Sequence, residues 1–170
     1  MKKFLWLILA TFILTGCAAT SSQNRYITVQ DNVVSADPYN TRIVLSDGFV
    51  LMHQEDSSEF QKFSNTFDQG NIITKKMVFD KDNIEVQVID QTTVDVNSYW
   101  TPRSHLMGDK YKKSTFYHAG NKYYIQQFEQ DGYKIEGYTT AVGRYQLQVY
   151  VIYPEDRDVN IDDVLTLTAM

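Results

Sequence analysis

Four runs rich in β-branched and aromatic residues fill most of the second half of the chain: residues 111–118, 122–129, 133–140 and 145–153. The connectors between them are short. They are Ala119, Gly120 and Asn121; Gln130, Asp131 and Gly132; and Ala141, Val142, Gly143 and Arg144. Each contains a glycine, and short glycine-bearing connectors between strand-like runs signal β-hairpins. This predicts an antiparallel meander over 111–153. In its last strand Tyr145, Leu147, Val149, Val151 and Tyr153 share one face, while Gln146 and Gln148 face the other way. That alternation is the mark of a half-buried strand. Val149 is expected in the core.

The first half carries weaker versions of the same signal. Ile84, Val86 and Val88 alternate with Glu85 and Gln87, and residues 72–79 are the expected hairpin partner across Asp80, Lys81, Asp82 and Asn83. Residues 42–46 and 49–53 read as a further tight pair around Asp47 and Gly48. Helical signals are fewer. Ser58 and Gln61 have capping-box spacing, and Phe60, Phe63 and Phe67 then fall on one helical face. They read as core phenylalanines. A second helix is expected near 94–107, limited or kinked by Pro102. A third is expected over 161–168, capped by Asn160 with Asp162 and Asp163 in its first turn, although a strand also fits there. The expected class is therefore α+β: an antiparallel sheet, including the C-terminal meander, with two or three short helices covering one face. A long last strand, a polar turn over 154–158 and a short terminal helix resemble the PsbP-like layout of DcrB-type lipoproteins, in element order over roughly residues 42–168.

The N-terminus carries a different kind of information. Met1, Lys2 and Lys3 give a short basic start, and residues 4–14 form an apolar run broken only by Thr11. That run is too short to span a bilayer, which needs about 20 apolar residues. Basic start, short apolar run and small residues together have the layout of a secretory signal peptide. The run closes on Leu14, Thr15, Gly16 and Cys17, which resembles the lipobox of bacterial lipoproteins. The resemblance implies lipidation of Cys17, with residues 1–16 removed as the signal. Cys17 is the chain's one cysteine, so it has no disulfide partner within the chain. Two or more acyl chains would give stable anchoring, at about 0.8 kcal/mol per buried CH₂. Ala18 follows the cysteine where the enterobacterial inner-membrane retention signal has Asp. By resemblance this points to the outer membrane, facing the periplasm. Residues 17–25 read as the lipidated cysteine and a small, polar tether, and 26–170 as a single domain.

The 170 residues carry 16 basic and 21 acidic side chains. Loss of Lys2 and Lys3 with the signal leaves 14 against 21, or −7 over residues 17–170. Such a balance argues against nucleic-acid binding, which needs a basic face. It also leaves the acyl chains, with no overall basic charge to help, as the anchor.

No motif announces chemistry. His53, His105 and His118 have none of the usual metal-ligand spacings. Asp80, Lys81, Asp82 and Asn83 begin like an EF-hand loop, but Ile84, Glu85 and Gln91 occupy positions that need a side-chain oxygen, a glycine and a bidentate glutamate. The segment reads better as a hairpin turn. Nucleophile elbows, phosphate loops and dinucleotide-binding glycine patterns do not occur. No cofactor, metal or catalytic residue is therefore assigned. Tyrosine is the unusual residue, with 12 copies, many on the meander. It suits strands by propensity and interfaces by its large area and polar tip. Tyr138 and Tyr150, read as opposing the apolar register of their strands, are the candidate binding surface. The expected function is that of a non-enzymatic binding or assembly module, anchored to the membrane through lipid on Cys17, with an envelope protein or glycan as partner. The alternative is an envelope hydrolase or transferase whose site assembles only in space.

Overall fold

Strands account for nearly the whole of the computed structural model, which describes residues 27–62, 72–92 and 112–170, apart from the side chains of 56–62, 72, 73 and 113. Among the described residues eleven strands follow in order: β1 (Ile27–Gln30), β2 (Val33–Ala36), β3 (Thr41–Leu45), β4 (Val50–Lys62), β5 (Ile72–Lys81), β6 (Ile84–Thr92), β7 (Lys112–His118), β8 (Asn121–Gln130), β9 (Tyr133–Val142), β10 (Tyr145–Pro154) and β11 (Leu165–Ala169). They form two antiparallel sheets. The smaller has the order β1-β2-β3-β11, and the larger β4-β5-β6-β10-β9-β8-β7.

This overturns the α+β expectation. The fold is 73% strand and 6% helical, with no helix of seven residues among those described. Where helices were expected to cover the sheet, a second sheet does so. The capping-box signal at Ser58 and Gln61 falls inside β4, whose backbone pairs Gln61 with Ile73 and Lys62 with Ile72. Phe63 and Phe67, and the helix expected near 94–107, lie outside the described residues. Asn160 does cap a helical turn, its side-chain oxygen accepting from the Asp162 N–H at 3.3 Å. That turn spans only Ile161–Asp163, and the chain then extends as β11 against β3, pairing Leu165 with Leu45 and Leu167 with Ile43. Alternating Leu and Thr suit a strand with one covered face better than a helix. The helical ending implied by the PsbP-like resemblance is thus absent. Residues 42–46 and 49–53 do not pair either, because β3 and β4 belong to different sheets and Ser46 to Phe49 carry the chain between them.

Turn chemistry explains the hairpins that do form. Asp82 and Asn83 both have positive φ between β5 and β6, as do Asp131 and Gly132 between β8 and β9. Two successive left-handed residues make the turn whose twist matches that of the flanking strands. The last hairpin turns on Gly143 and Arg144 alone, with Tyr145 opposite Val142. β10 is the fourth of seven strands, bonded to β6 on one side and β9 on the other.

The core lies between the sheets. Met77 and Phe79 of β5, Val86 and Val88 of β6, and Leu147, Val149 and Val151 of β10 form one inner surface. Ile27, Val34, Ala36, Ile43 and Leu45 of the smaller sheet meet them. Each such side chain larger than Ala36 contributes roughly 1.5–3 kcal/mol when fully buried. A polar clasp ties the sheets at one end. Tyr39, in the single turn Asp37–Tyr39, donates its hydroxyl to Asp90 Oδ1 at 2.6 Å. Its carbonyl accepts from Asn121 at 2.6 Å and from Thr41 at 2.9 Å, and the Thr41 and Tyr123 hydroxyls share a bond at 2.7 Å. Because Asp90 and Thr41 are buried, these bonds are needed to offset their desolvation.

Candidate functional site

The inner face of the large sheet changes character beyond β10. Strand β9 presents Glu136, Tyr138 and Thr140 on that face, because it pairs them with Val151, Val149 and Leu147 of β10. Strand β8 adds Gln127 opposite Glu136 and Ile125 opposite Tyr138, and β7 adds Lys112 opposite Gln127. A row of aliphatic side chains thereby gives way to a polar group held in register by three hairpins.

Glu136 is the centre of this group, only 8% exposed. Its two carboxylate oxygens each receive a donor: the Tyr138 hydroxyl on Oε1 and the Gln127 side-chain amide on Oε2. Tyr138 packs at the margin of the core, and its ring meets Phe116 edge-on at 6.3 Å between centroids. Phe116 in turn stacks on Tyr123 at 5.1 Å. The Glu136 carboxylate is thus positioned by a phenol that is itself held by neighbouring rings.

Around Glu136 a cleft of about 350 Å³ opens between the strand ends, lined by Lys112, Gln127, Glu129, Lys134, Tyr153 and the adjoining Phe128 and Ile135. The volume falls in the range of small-ligand pockets. Two lysines face two glutamates, so the lining is close to neutral. The phenols respond to this setting. Burial, then the bond to Glu136 and the charge of Glu136, push the Tyr138 hydroxyl far above its usual range. Burial and the charges of Glu136 and Asp158 raise Tyr153. Burial also raises Tyr123, partly opposed by its bond to Thr41. Tyr138 therefore remains a protonated donor at neutral pH and a poor nucleophile.

The two tyrosines singled out in the sequence do not meet. Tyr138 lies opposite Val149 on the inner face, and Tyr150 lies opposite Gly137 on the outer face. There Tyr150 donates to Gln148 at 3.2 Å, and Gln148 donates to Gln146 at 3.2 Å. Cys17 and His105 lie outside the described residues. His53 Nε2 meets Glu55 Oε1 at 2.7 Å on β4, both about half exposed. His118 sits edge-on to Tyr123 at 6.0 Å. Among the described residues no three His, Cys, Asp or Glu side chains converge to hold a metal. Sequence reading missed Glu136 and Gln127. The available signal was a charged residue two positions before Tyr138, on the inner face of β9.

Comparison with known proteins concerns the N-terminus. The pattern of a prokaryotic membrane lipoprotein lipid attachment site matches residues 1–18. No curated protein and no solved structure matches the chain. The chain is a bacterial lipoprotein with a lipobox, anchored in the cell envelope by lipid on its cysteine.

Proposed function

We propose that this lipoprotein is anchored in the outer membrane through Cys17, faces the periplasm, and uses the Glu136 cleft to bind a segment of envelope glycan without chemical conversion. Ala18, in place of the aspartate that retains lipoproteins in the inner membrane, supports the outer-membrane reading. The observation that carries the binding reading is the Gln127–Glu136–Tyr138 arrangement. A carboxylate offers about four acceptor sites, of which two are used here, and the remainder suit hydroxyl donors. Tyr153 adds an aromatic surface beside them, and the near-neutral lining favours a hydroxyl-rich ligand over an ion. Hydrolase or transferase chemistry fits less well. The phenol beside Glu136 is held protonated, and the carboxylate is already hydrogen-bonded. Of the two candidate tyrosines, Tyr138 serves this cleft by orienting Glu136. Tyr150 would serve a separate contact, with an envelope protein, on the outer face.

Calorimetric titration of the protein with soluble fragments of cell-wall glycan tests the reading. Binding should be measurable, should weaken about tenfold or more in Tyr153→Ala and Glu136→Gln, and should leave the glycan intact. Unchanged affinity in both variants, or consumption of the glycan that is lost in Glu136→Gln, would refute it.

A further inference from the structure

The two ends of the sandwich differ in charge, and the anchor joins one of them. Strand β1 begins at Ile27, opposite Ala36, beside the first residue of β3 and the last of β11. The β7–β8 turn lies at the same end, since Asn40 donates to the Ala119 carbonyl at 3.5 Å. So does the β9–β10 turn, by the register of the large sheet. The opposite end holds the β1–β2, β3–β4, β5–β6 and β8–β9 connections and the long segment after β10. Ser46 and Asp47 tie these together, through Ser46 N–H to Val164 at 2.9 Å and Lys81 to the Asp47 carbonyl at 2.5 Å.

Among the described residues the far end is acidic. Asp31, Asp47, Asp82, Asp131, Asp156 and Asp158 are exposed there; of the cations on that side, Lys81 and Arg157 each donate to a backbone carbonyl, and Lys112 and Lys134 line the cleft. Among the described side chains of the near end, Arg42, Lys122 and Arg144 are exposed, against the carboxylate of Asp37. Exposed apolar side chains occur at both ends and do not choose between them: Val50 and Met52 toward one, Tyr117 and Val142 toward the other.

We infer that the domain stands end-on at the bilayer, with the β7–β8 and β9–β10 turns against anionic lipid headgroups and the acidic end, where the cleft's Glu129 and Lys134 lie, pointing away. Chain length supports this. Ten peptide steps separate Cys17 from Ile27 and reach at most about 33–36 Å. A ten-residue strand such as β10 is itself about 33 Å long. Inversion would demand a fully stretched connection and would press the carboxylates onto the headgroups. The end-on arrangement demands neither, and it meets the lipids with the basic end. The inference rests on lipid anchoring at Cys17 and is independent of what the cleft binds.

The test uses the full lipidated protein in nanodiscs of phosphatidylethanolamine and phosphatidylglycerol, doped with a headgroup-chelated gadolinium lipid. Co-purification with the discs first checks the anchor, so failure at that step counts against anchoring alone. Amide relaxation should then be enhanced several-fold more at Ala119, Gly120, Gly143 and Arg144 than at Asp82, Asp131, Gly132 and Asp156. The double substitution Lys122→Glu and Arg144→Glu should flatten that gradient without releasing the protein from the discs. Equal enhancement at both ends, stronger enhancement at Asp131 and Asp156, or a gradient indifferent to the double substitution would overturn the inference.

Discussion

The ring of Tyr150 lies directly across Gly137. A Cβ at position 137 would stand 2.7 Å from Tyr150 Cε1 and 2.9 Å from Cδ1. The two residues face each other across the central hairpin, so the glycine is there to admit the ring and the ring covers the backbone the glycine leaves bare. Gly137→Ala should therefore cost about 1–3 kcal/mol, as overpacking does. The same substitution made in a Tyr150→Ala background should be close to neutral. Denaturant unfolding of the four proteins of this cycle checks it, and equal costs in both backgrounds would contradict the packing.

That pairing also explains what the sequence could and could not yield. The meander was readable because its turns are short and glycine-bearing, and the inner face of β10 because Leu147, Val149 and Val151 alternate with polar residues. Tyr150 does face away from the apolar register, but Tyr138, expected to oppose that register, lies on the inner face instead. An even-length turn after β9 sets even-numbered residues of β9 opposite odd-numbered residues of β10, so Tyr138 must share the face of Val149 and Tyr150 that of Gly137. Ile135 obscured this, since its apolar side chain suggests the inner face and it lies on the outer one. The second sheet was not readable. β1, β2 and β11 are only four or five residues long, and their partners are set by packing against the large sheet. Helical spacing at Ser58 and Gln61 lost to the ladder with β5, a tertiary effect that local pattern does not contain. The Glu136 cleft depends on the register of four strands at once, β7 to β10.

Val149 is 0% exposed at the middle of the central strand. Val149→Asp buries a charge with no partner among Val88, Tyr138 and the smaller sheet, and should cost several kcal/mol. Thermal unfolding should show a sharp fall in Tm or loss of the folded state. A soluble variant with unaltered Tm would contradict the inward orientation of this strand.

Ala119 adopts φ of 52° in the β7–β8 turn, where a side chain with Cβ crowds the following carbonyl. Ala119→Gly should relieve roughly 1 kcal/mol of that strain, offset in part by the greater freedom of glycine in the unfolded chain. The net effect expected is a small gain in stability, in contrast to the loss expected at Gly137. A clear loss in denaturant unfolding would show that the turn favours alanine.

Tyr138 makes stability depend on alkaline pH. Its folded pKa is raised, chiefly by burial and then by Glu136, so the unfolded chain releases the phenolic proton first. The contribution is complete below the unfolded value of about 10 and is lost as pH rises above it. Tm should fall as pH rises above about 10, and Tyr138→Phe should lessen the slope. Some slope should remain, because Tyr123 and Tyr153 are raised as well. An identical slope in the variant would show that Tyr138 is not its source.

Binding of an envelope glycan in the Glu136 cleft is open to observation residue by residue. Amide chemical-shift mapping during titration with soluble cell-wall glycan fragments tests it most directly. Saturable shifts are expected to concentrate at Gln127, Lys134, Glu136 and Tyr153, with little change at Gly137 and Tyr150 on the outer face. Shifts confined to the outer face, or none at saturating glycan, would contradict it.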